Sequence, residues 1–305
     1  MLPFLLRRLV AAVPVLFGVS LLAFSMTHLT PGDPVAIMLG ERATAEDVAR
    51  LRSELGLDLP LPVQYGSFLA RALRGDLGTS LRSGQPVARE IADRVGATAA
   101  LTFAAMGVAV VVGVLLGTLA AIQRSPVVDA VIMSIALVGI SMPTFWSGLL
   151  LILLFALTLG WFPITGSGWS GLVLPAVCLG LPAAAVLARL TRSALLEVLS
   201  QDFIRTARSK GVSASGIVAH HALRNALIPV VTIVGLQFGT LMAGSVIVES
   251  VFARPGIGRF AVNAIMARDL PQVQGIVLFA GVVYVVVNAL VDMVYAAIDP
   301  RIAVR

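Results

Sequence analysis

The densest set of side chains able to make specific polar contacts lies between Arg189 and Pro229, which reads RLTRSALLEVLSQDFIRTARSKGVSASGIVAHHALRNALIP. Arg205, Arg208 and Lys210 can pair with acidic groups. Gly211 can adopt φ > 0 and turn the chain sharply. Two helix-prone pieces flank that glycine. The first, about 192–210, carries Leu195, Leu199, Phe203 and Ala207 as an apolar stripe. The second begins after Ser213 or Ser215 and carries Ile217, Val218, Leu223 and Leu227. Two short helices joined at a glycine predict a protruding elbow. Its chemistry is docking by charge and shape, although a basic loop that merely anchors the chain would carry the same charges.

Other chemistries lack their residues. Lys210 is the only lysine, and glycine follows it. A phosphate-binding loop needs Lys followed by Ser or Thr, so the chain cannot supply its own Walker A site. HExxH and GxSxG are both missing. The histidines are His28, His220 and His221, and the adjacent pair points in different directions on a helix. No catalytic residue and no metal site follows from this set. Cys178 stands alone in an apolar run, so it can form no internal disulfide and reads as a small buried residue.

The elements that must hold the elbow are apolar. Of the 305 residues 58% are apolar and 12% charged, against about 45–50% and about 25% in soluble domains. Mean hydropathy is +0.96. This composition excludes a soluble enzyme, a disordered chain and a disulfide-stapled domain. It fits an all-α polytopic membrane protein. Crossing ~30 Å of hydrocarbon takes about 20 residues. Uncharged runs place spans at Leu9–Leu29 and 97–122, and the uncharged runs 225–248 and 270–291 give two more that extend to about Phe252 and Ile298. The uncharged run 130–188 is too long for one helix. Trp161, Phe162, Pro163, Gly166, Gly168 and Trp169 interrupt it as an interfacial turn, giving spans near 131–159 and 172–189. Six spans put both termini on one side. No clear small-x-small cleavage site follows span one, which therefore reads as a retained helix.

Arg7, Arg8, Arg124, Arg189, Arg192, Arg205, Arg208, Lys210, Arg224, Arg301 and Arg305 all fall on the side of the termini. Asp129, Glu197, Asp202, Asp292 and Asp299 share that side, so the whole net charge of +6 lies there. By the positive-inside rule that face is cytoplasmic. The basic balance, with a pI of about 10.6, then reflects topology and requires no nucleic acid.

The organisation expected is a cytoplasmic N-terminus with the first span (1–29), an extracytoplasmic helical segment (30–96), a five-helix core (97–298) containing the elbow (190–228), and a cytoplasmic tail (299–305). In the outer segment Thr44 can cap a helix carrying Val48, Leu51 and Leu55, with Asp47 three residues on and Gly56 ending it. A second helix covers 63–74. A third starts near Pro86 and carries Val87, Ile91 and Val95 into span two. The segment is either a cap on the span ends or a docking surface for an external partner. Intramembrane carboxylates are the usual mark of ion-coupled transport, and here Glu249 and Asp292 sit near span ends. Ser141-Met142-Pro143-Thr144 breaks the third span. Ser141, Pro143 and Thr144, with the uncharged polar Gln237 and Asn288, are the candidates for lining a pathway.

DFIRTARSKG followed by HALRNALIP resembles the EAA loop of ABC importer permeases, in the version of the dipeptide/oligopeptide/nickel family. Arg205-Thr206-Ala207 takes the EAA place and Gly211 falls four after Ala207. His221-Ala222-Leu223-Arg224 takes the IxLP place, with the proline displaced to Pro229. RRLVAAVPVLFGVSLLAFSMTHLTPGDP, LGLDLPLPVQYGSFLARALRGDLGTSL, VFARPGIGRFAVNAIMARDLPQVQG and NALVDMVYAAIDPRI are similar to B-type subunits of that family, in the same order. The resemblance implies a type I importer permease fold in a bacterial inner membrane. It implies pairing with a second, homologous permease, two ATPase subunits holding ATP and Mg, and an extracytoplasmic substrate-binding protein. It assigns Asp202, Arg205, Thr206, Ala207, Arg208, Lys210, Gly211, Ser213, Ile217, Val218, His221 and Leu223 to ATPase coupling. Substrates of the family are di- or oligopeptides, glutathione, nickel or other small solutes.

Overall fold

The apolar runs form helices. They are α1 (Leu2–Leu29), α2 (Ala45–Glu54), α3 (Leu61–Leu73), α4 (Val87–Ile122), α5 (Pro126–Ser141) and α6 (Thr144–Leu151, continued by a π-helix at Ile152–Thr158). They continue with α7 (Ser170–Leu199), α8 (Asp202–Ser209), α9 (Ala214–Val251, with a π-helical turn at Ile217–Ala222), α10 (Ile257–Met266) and α11 (Leu270–Ile298). This computed structural model describes residues 2–29, 44–54, 56–123, 125–166 and 168–298. The tail 299–305, residues 30–43, Leu55, Arg124, and Ser167 of the expected interfacial turn lie outside the described residues.

Helices α1, α4, α7, α9 and α11 are each long and apolar enough to cross a membrane. The third span is different. Helix α5 and the α6 segment meet that requirement only together, and they are bent by 107° at Met142–Pro143. Proline lacks an N–H and pushes the residue before it out of the α region. Met142 accordingly sits at φ −77°, ψ 129°. The span expected near 131–159 is thus broken where the sequence predicts, and it starts earlier, at Pro126. The span expected at 172–189 is longer and runs to Leu199. As expected, the helix starting at Val87 runs unbroken into span two.

Five helix ends share one geometry. After α2, α3, α8, α9 and α10 a left-handed residue is followed by an N–H that reaches back five residues. These bonds are Leu57 to Arg52, Asp76 to Arg71, Val212 to Ala207, Arg254 to Glu249 and Asp269 to Ala264, at 2.9–3.2 Å. The left-handed residues are Gly56, Gly75, Gly211, Ala253 and Arg268. This motif normally uses glycine, which has no Cβ to clash. Ala253 and Arg268 occupy it with side chains.

The chain divides into two units, residues 1–96 with 260–289, and residues 97–259 with 290–305. In the first, α1 packs on α3 through Tyr65. Its ring meets Phe17 and Phe24, and its hydroxyl lies 2.7 Å from Ser20 Oγ. The amide of Gln274 on α11 donates to Ala23 O on α1 at 2.9 Å. The turn at 81–83 is fixed by Asp269, which accepts from Ser80 Oγ at 2.6 Å and from Arg82 N–H at 3.3 Å. Gln272 Nε2 donates to Glu90 Oε2 at 2.7 Å.

In the second unit α7 is the axis, with 72% of its apolar window buried. Its sequence explains this, because Gly171, Ala176, Cys178, Gly180, Ala183, Ala184 and Ala188 leave room for neighbours. Without a hydrophobic drive between helices in lipid, such close packing supplies the association. A Cβ built on Gly113 would lie 2.6 Å from Leu187 Cβ, and one on Gly117 would lie 2.4 Å from Ala188 O. Glycines four apart on α4 thus seat it against the α7 backbone. Near the end of α9, Glu249 is fully buried. It accepts from Thr98 Oγ at 2.6 Å and Arg259 N–H at 3.1 Å, while Thr98 Oγ accepts Ile257 N–H at 2.8 Å. Burial pulls the guanidinium of nearby Arg254 below its usual pKa, with the Glu249 charge opposing that shift.

Candidate functional site

The elbow is built from helix ends. Helix α7 stops at Leu199, the chain turns at Ser200–Gln201, and α8 starts at Asp202. Gly211, at φ +81°, reverses the chain after α8. Ser213 then caps α9 by accepting Gly216 N–H at 3.2 Å. The bend falls at the glycine that the sequence marks for it, and the second piece begins at the first of the two serines proposed.

One expectation is corrected. The first piece is not a continuous helix over 192–210 with Phe203 on its apolar stripe. The turn at Ser200–Gln201 resets the helical phase, so α8 buries Ile204 and Ala207 and leaves Phe203 40% exposed. Ile204, absent from the predicted stripe, is the fully buried anchor. Its three-residue spacing to Ala207 was the available signal.

The underside of the elbow is a small core in which Ile204, Ala207, Ile217, Ala222 and Ala226 pack with Ala121, Ala194, Leu195 and Val198. Elbow, α4, α7 and α9 therefore share one cluster, whose apolar burial is worth roughly 25 cal/mol per Å². The opposite surface is polar and open. Asp202, Arg205, Thr206, Arg208, Lys210, Gly211, Ser213 and His221 are exposed, with Phe203 among them. Arg205 Nη1 is 3.5 Å from Asp202 Oδ1, and Thr206 Oγ donates to Asp202 O at 3.1 Å. Val218 and Leu223 are half-buried. The twelve residues named from the sequence thus separate into a buried side (Ala207, Ile217, with Val218 and Leu223 at its edge) and a solvent-facing side.

The pathway candidates are less concentrated. Ser141 is exposed and donates to Leu137 O at 2.9 Å, and Pro143 precedes α6 at the break. Thr144 O accepts the Cys178 thiol at 3.4 Å, so buried Cys178 packs against the broken span. Gln237 on α9 and Asn288 on α11 are half-buried. Among the described residues no group of His, Cys, Asp and Glu comes together to hold a metal.

A charge pair escaped the sequence reading. Asp129, in the first turn of α5, accepts both Nε (2.6 Å) and Nη2 of Arg192 on α7. Counted as loop charges, the two are 63 residues apart with no local spacing to join them. The fork ties the start of the broken span to the helix that leads into the elbow. Arg192→Lys keeps the charge but loses the planar two-bond geometry. It is expected to give an earlier thermal midpoint in detergent. An unchanged midpoint would show that water screens the pair.

Two family models cover the chain. Residues 1–102 match the N-terminal model of binding-protein-dependent transport system membrane components. Residues 113–304 match the model described as binding-protein-dependent transport system inner membrane component. A putative peptide transport system permease protein of Brucella abortus (strain 2308) is 46% identical over 307 residues, covering 98% of each chain. The glutathione transport system permease protein GsiC of Salmonella typhi is 46% identical over 303 residues, covering 99% of each. Among solved structures, an inward-facing form of the MetNI methionine ABC transporter superposes with a TM-score of 0.56 at 22% identity, covering 68% of this chain and 96% of that one. An amino acid ABC transporter gives 0.54 at 18% identity, covering 68% and 94%. These likenesses show the type I importer permease fold. The chain belongs to the binding-protein-dependent transport system inner membrane components, the multi-pass permease subunits of ABC importers.

Proposed function

We propose that this permease translocates di- or oligopeptides, or the related tripeptide glutathione, delivered by an extracytoplasmic binding protein. Relatives named for peptide and for glutathione transport, both at 46% identity, support that substrate class. In this reading the chain pairs with a second, homologous permease. Two ATPase subunits, carrying ATP and Mg, dock on the elbows. Both termini face the cytoplasm, and the segment 30–96 faces outward.

The observation that carries the reading is the two-sided elbow. Its basic upper surface, with Arg205, Arg208 and Lys210, suits acidic partner residues. Its underside packs into the same cluster as α4, α7 and α9. A push on α8 is therefore borne by spans four and five rather than absorbed by a loose loop. ATP binding would close the ATPase pair and tilt those helices, opening the pathway outward. Hydrolysis would reset it.

Gly211→Val is the test. A Cβ there meets nothing within 4 Å, so the cost is confined to the backbone at φ +81°, where a β-branched residue is strained. Insertion and assembly should persist. ATP hydrolysis stimulated by the loaded binding protein should fall about tenfold, equal to about 1.4 kcal/mol of lost coupling. Normal coupled uptake in this variant would remove the elbow assignment.

A further inference from the structure

Arg268 holds a position that the other helix ends mostly give to glycine. It is the left-handed residue after α10, at φ +54°. Its N–H donates to Ile265 O at 3.0 Å, and the next N–H, of Asp269, reaches Ala264 O at 2.9 Å. Three of the five equivalent ends use glycine, and a side chain there is unfavourable. Yet this side chain is among the longest and is exposed. Glycine would serve this turn better, so the turn itself does not account for the arginine.

The backbone of a second arginine, Arg82, is held next to Asp269. Asp269, the next residue in the chain, is 1% exposed. It receives the backbone N–H of Arg82 at 3.3 Å and the hydroxyl of Ser80 at 2.6 Å. The tip of the 81–83 turn and the end of α10 are thereby held together over one buried carboxylate. It accepts from Ser80, Arg82 N–H and Gln272 N–H. Arg82 and Arg268 are both exposed and form no ion pair among the described residues.

The height of this pair separates a protein partner from lipid. The turn leads directly into α4, with Val87 N–H on Gly78 O at 3.0 Å. Along α4 the charged residues Arg89, Glu90, Asp93 and Arg94 precede the apolar run. Val87 stands seven residues ahead of Arg94, or about 10 Å at 1.5 Å per residue. A headgroup layer is only about 5–7 Å deep on each side. Gly275 packs against Val87, 2.6 Å from a built Cβ. The second turn of α11 thus lies level with Val87.

We propose that Arg82 and Arg268 form a paired cationic contact for an acidic surface on the substrate-binding protein. The proposal rests on the importer reading given above. Its role is steering: rim charges of this kind act mainly on association rate and its salt dependence.

The test uses the complete transporter in lipid nanodiscs and the purified binding protein. Arg268→Gly relieves the left-handed backbone, so the variant should fold with an equal or higher thermal midpoint. Combined with Arg82→Gln, it should slow association at low salt roughly five- to tenfold and flatten the salt dependence. Arg268→Lys gives a second measurement. The chain otherwise has only Lys210, so carbodiimide treatment should yield an amide between Lys at 268 and a binding-protein carboxylate, located by peptide mapping. Wild-type association rates and salt slope in the double variant, with no such cross-link, would overturn the proposal. Loss of bound anionic lipid at an unchanged association rate would overturn it in favour of a lipid contact. If the wild-type transporter itself never engages a binding protein, it is the importer reading that fails.

Discussion

Glu249→Ala should leave most of the chain unable to hold its native fold in detergent. The carboxylate is fully buried, and three donors are arranged around it or through it. Thr98 Oγ donates at 2.6 Å, Arg259 N–H at 3.1 Å, and Ile257 N–H completes the set by bonding to Thr98 Oγ at 2.8 Å. Alanine strands two buried donors, each costing about 1–3 kcal/mol. It also removes the Glu249 charge that favours the partly buried Arg254 guanidinium. The void left by the carboxyl adds to this. A Cβ on Gly256 would lie 2.2 Å from Glu249 Cδ, so the 252–256 loop is moulded to this side chain and cannot readily close over its absence. The total is about 3–5 kcal/mol, a large share of a typical domain's stability. Glu249→Gln can still accept one of the two donors and should cost about 1–2 kcal/mol. Cys178 supplies the readout: it is the only cysteine and is fully buried, so a thiol-reactive fluorophore reports unfolding during a thermal ramp. Equal midpoints for wild type and the alanine variant would show that the cluster carries no net stability.

This cluster marks where sequence reading stops. In the sequence Glu249 is legible as an acidic residue near a span end, away from the mid-span position that ion-coupled transport calls for. What it binds was not visible. Thr98 is 151 residues away, and no local period relates a threonine inside one helix to a glutamate at the tail of another. The same holds for Asp129 and Arg192. By contrast, the features fixed by nearest-neighbour chemistry were legible. The apolar runs gave the spans, Gly211 gave the bend, Ser213 or Ser215 gave the start of the second piece, and Pro143 gave the break. The phase error at Phe203 and Ile204 has a local cause of its own. Nothing in Leu199-Ser200-Gln201-Asp202 forbids a continuous helix, and the turn appears because α7 and α8 both bury their apolar faces in one cluster. Tertiary packing overrode propensity there. The two-sidedness of the elbow, which carries the functional reading, is likewise a product of packing rather than of the motif.

Gly117→Val should be as damaging as the loss of Glu249, for the opposite reason. A Cβ at 117 lies 2.4 Å from Ala188 O, 2.7 Å from Thr191 Cβ and 3.1 Å from Ala188 C. Two of those atoms are backbone, so no side-chain rotation relieves the overlap and α4 must move away from α7. The separation cannot stay local. Gly113, one turn earlier, has Ala184 O at 2.8 Å, and Gly180 on α7 has Ala105 O at 2.5 Å from its own built Cβ. All three contacts lie on one crossing, and widening it at 117 opens the other two. Overpacking a fitted core costs about 1–3 kcal/mol when side chains can adjust. With backbone against backbone, more than about 3 kcal/mol is expected, together with loss of the dispersion contacts along the seam. Gly107 on the same helix is the control. It has nothing within 4 Å of a built Cβ, and in a helix interior alanine is favoured over glycine by about 1 kcal/mol. Gly107→Ala should therefore match or exceed the wild-type midpoint, whereas even Gly117→Ala should fall well below it. Helix propensity alone predicts the same gain at both positions. Opposite signs would show that the close approach of α4 to the α7 backbone governs the stability of this unit, and equal gains would show that it does not.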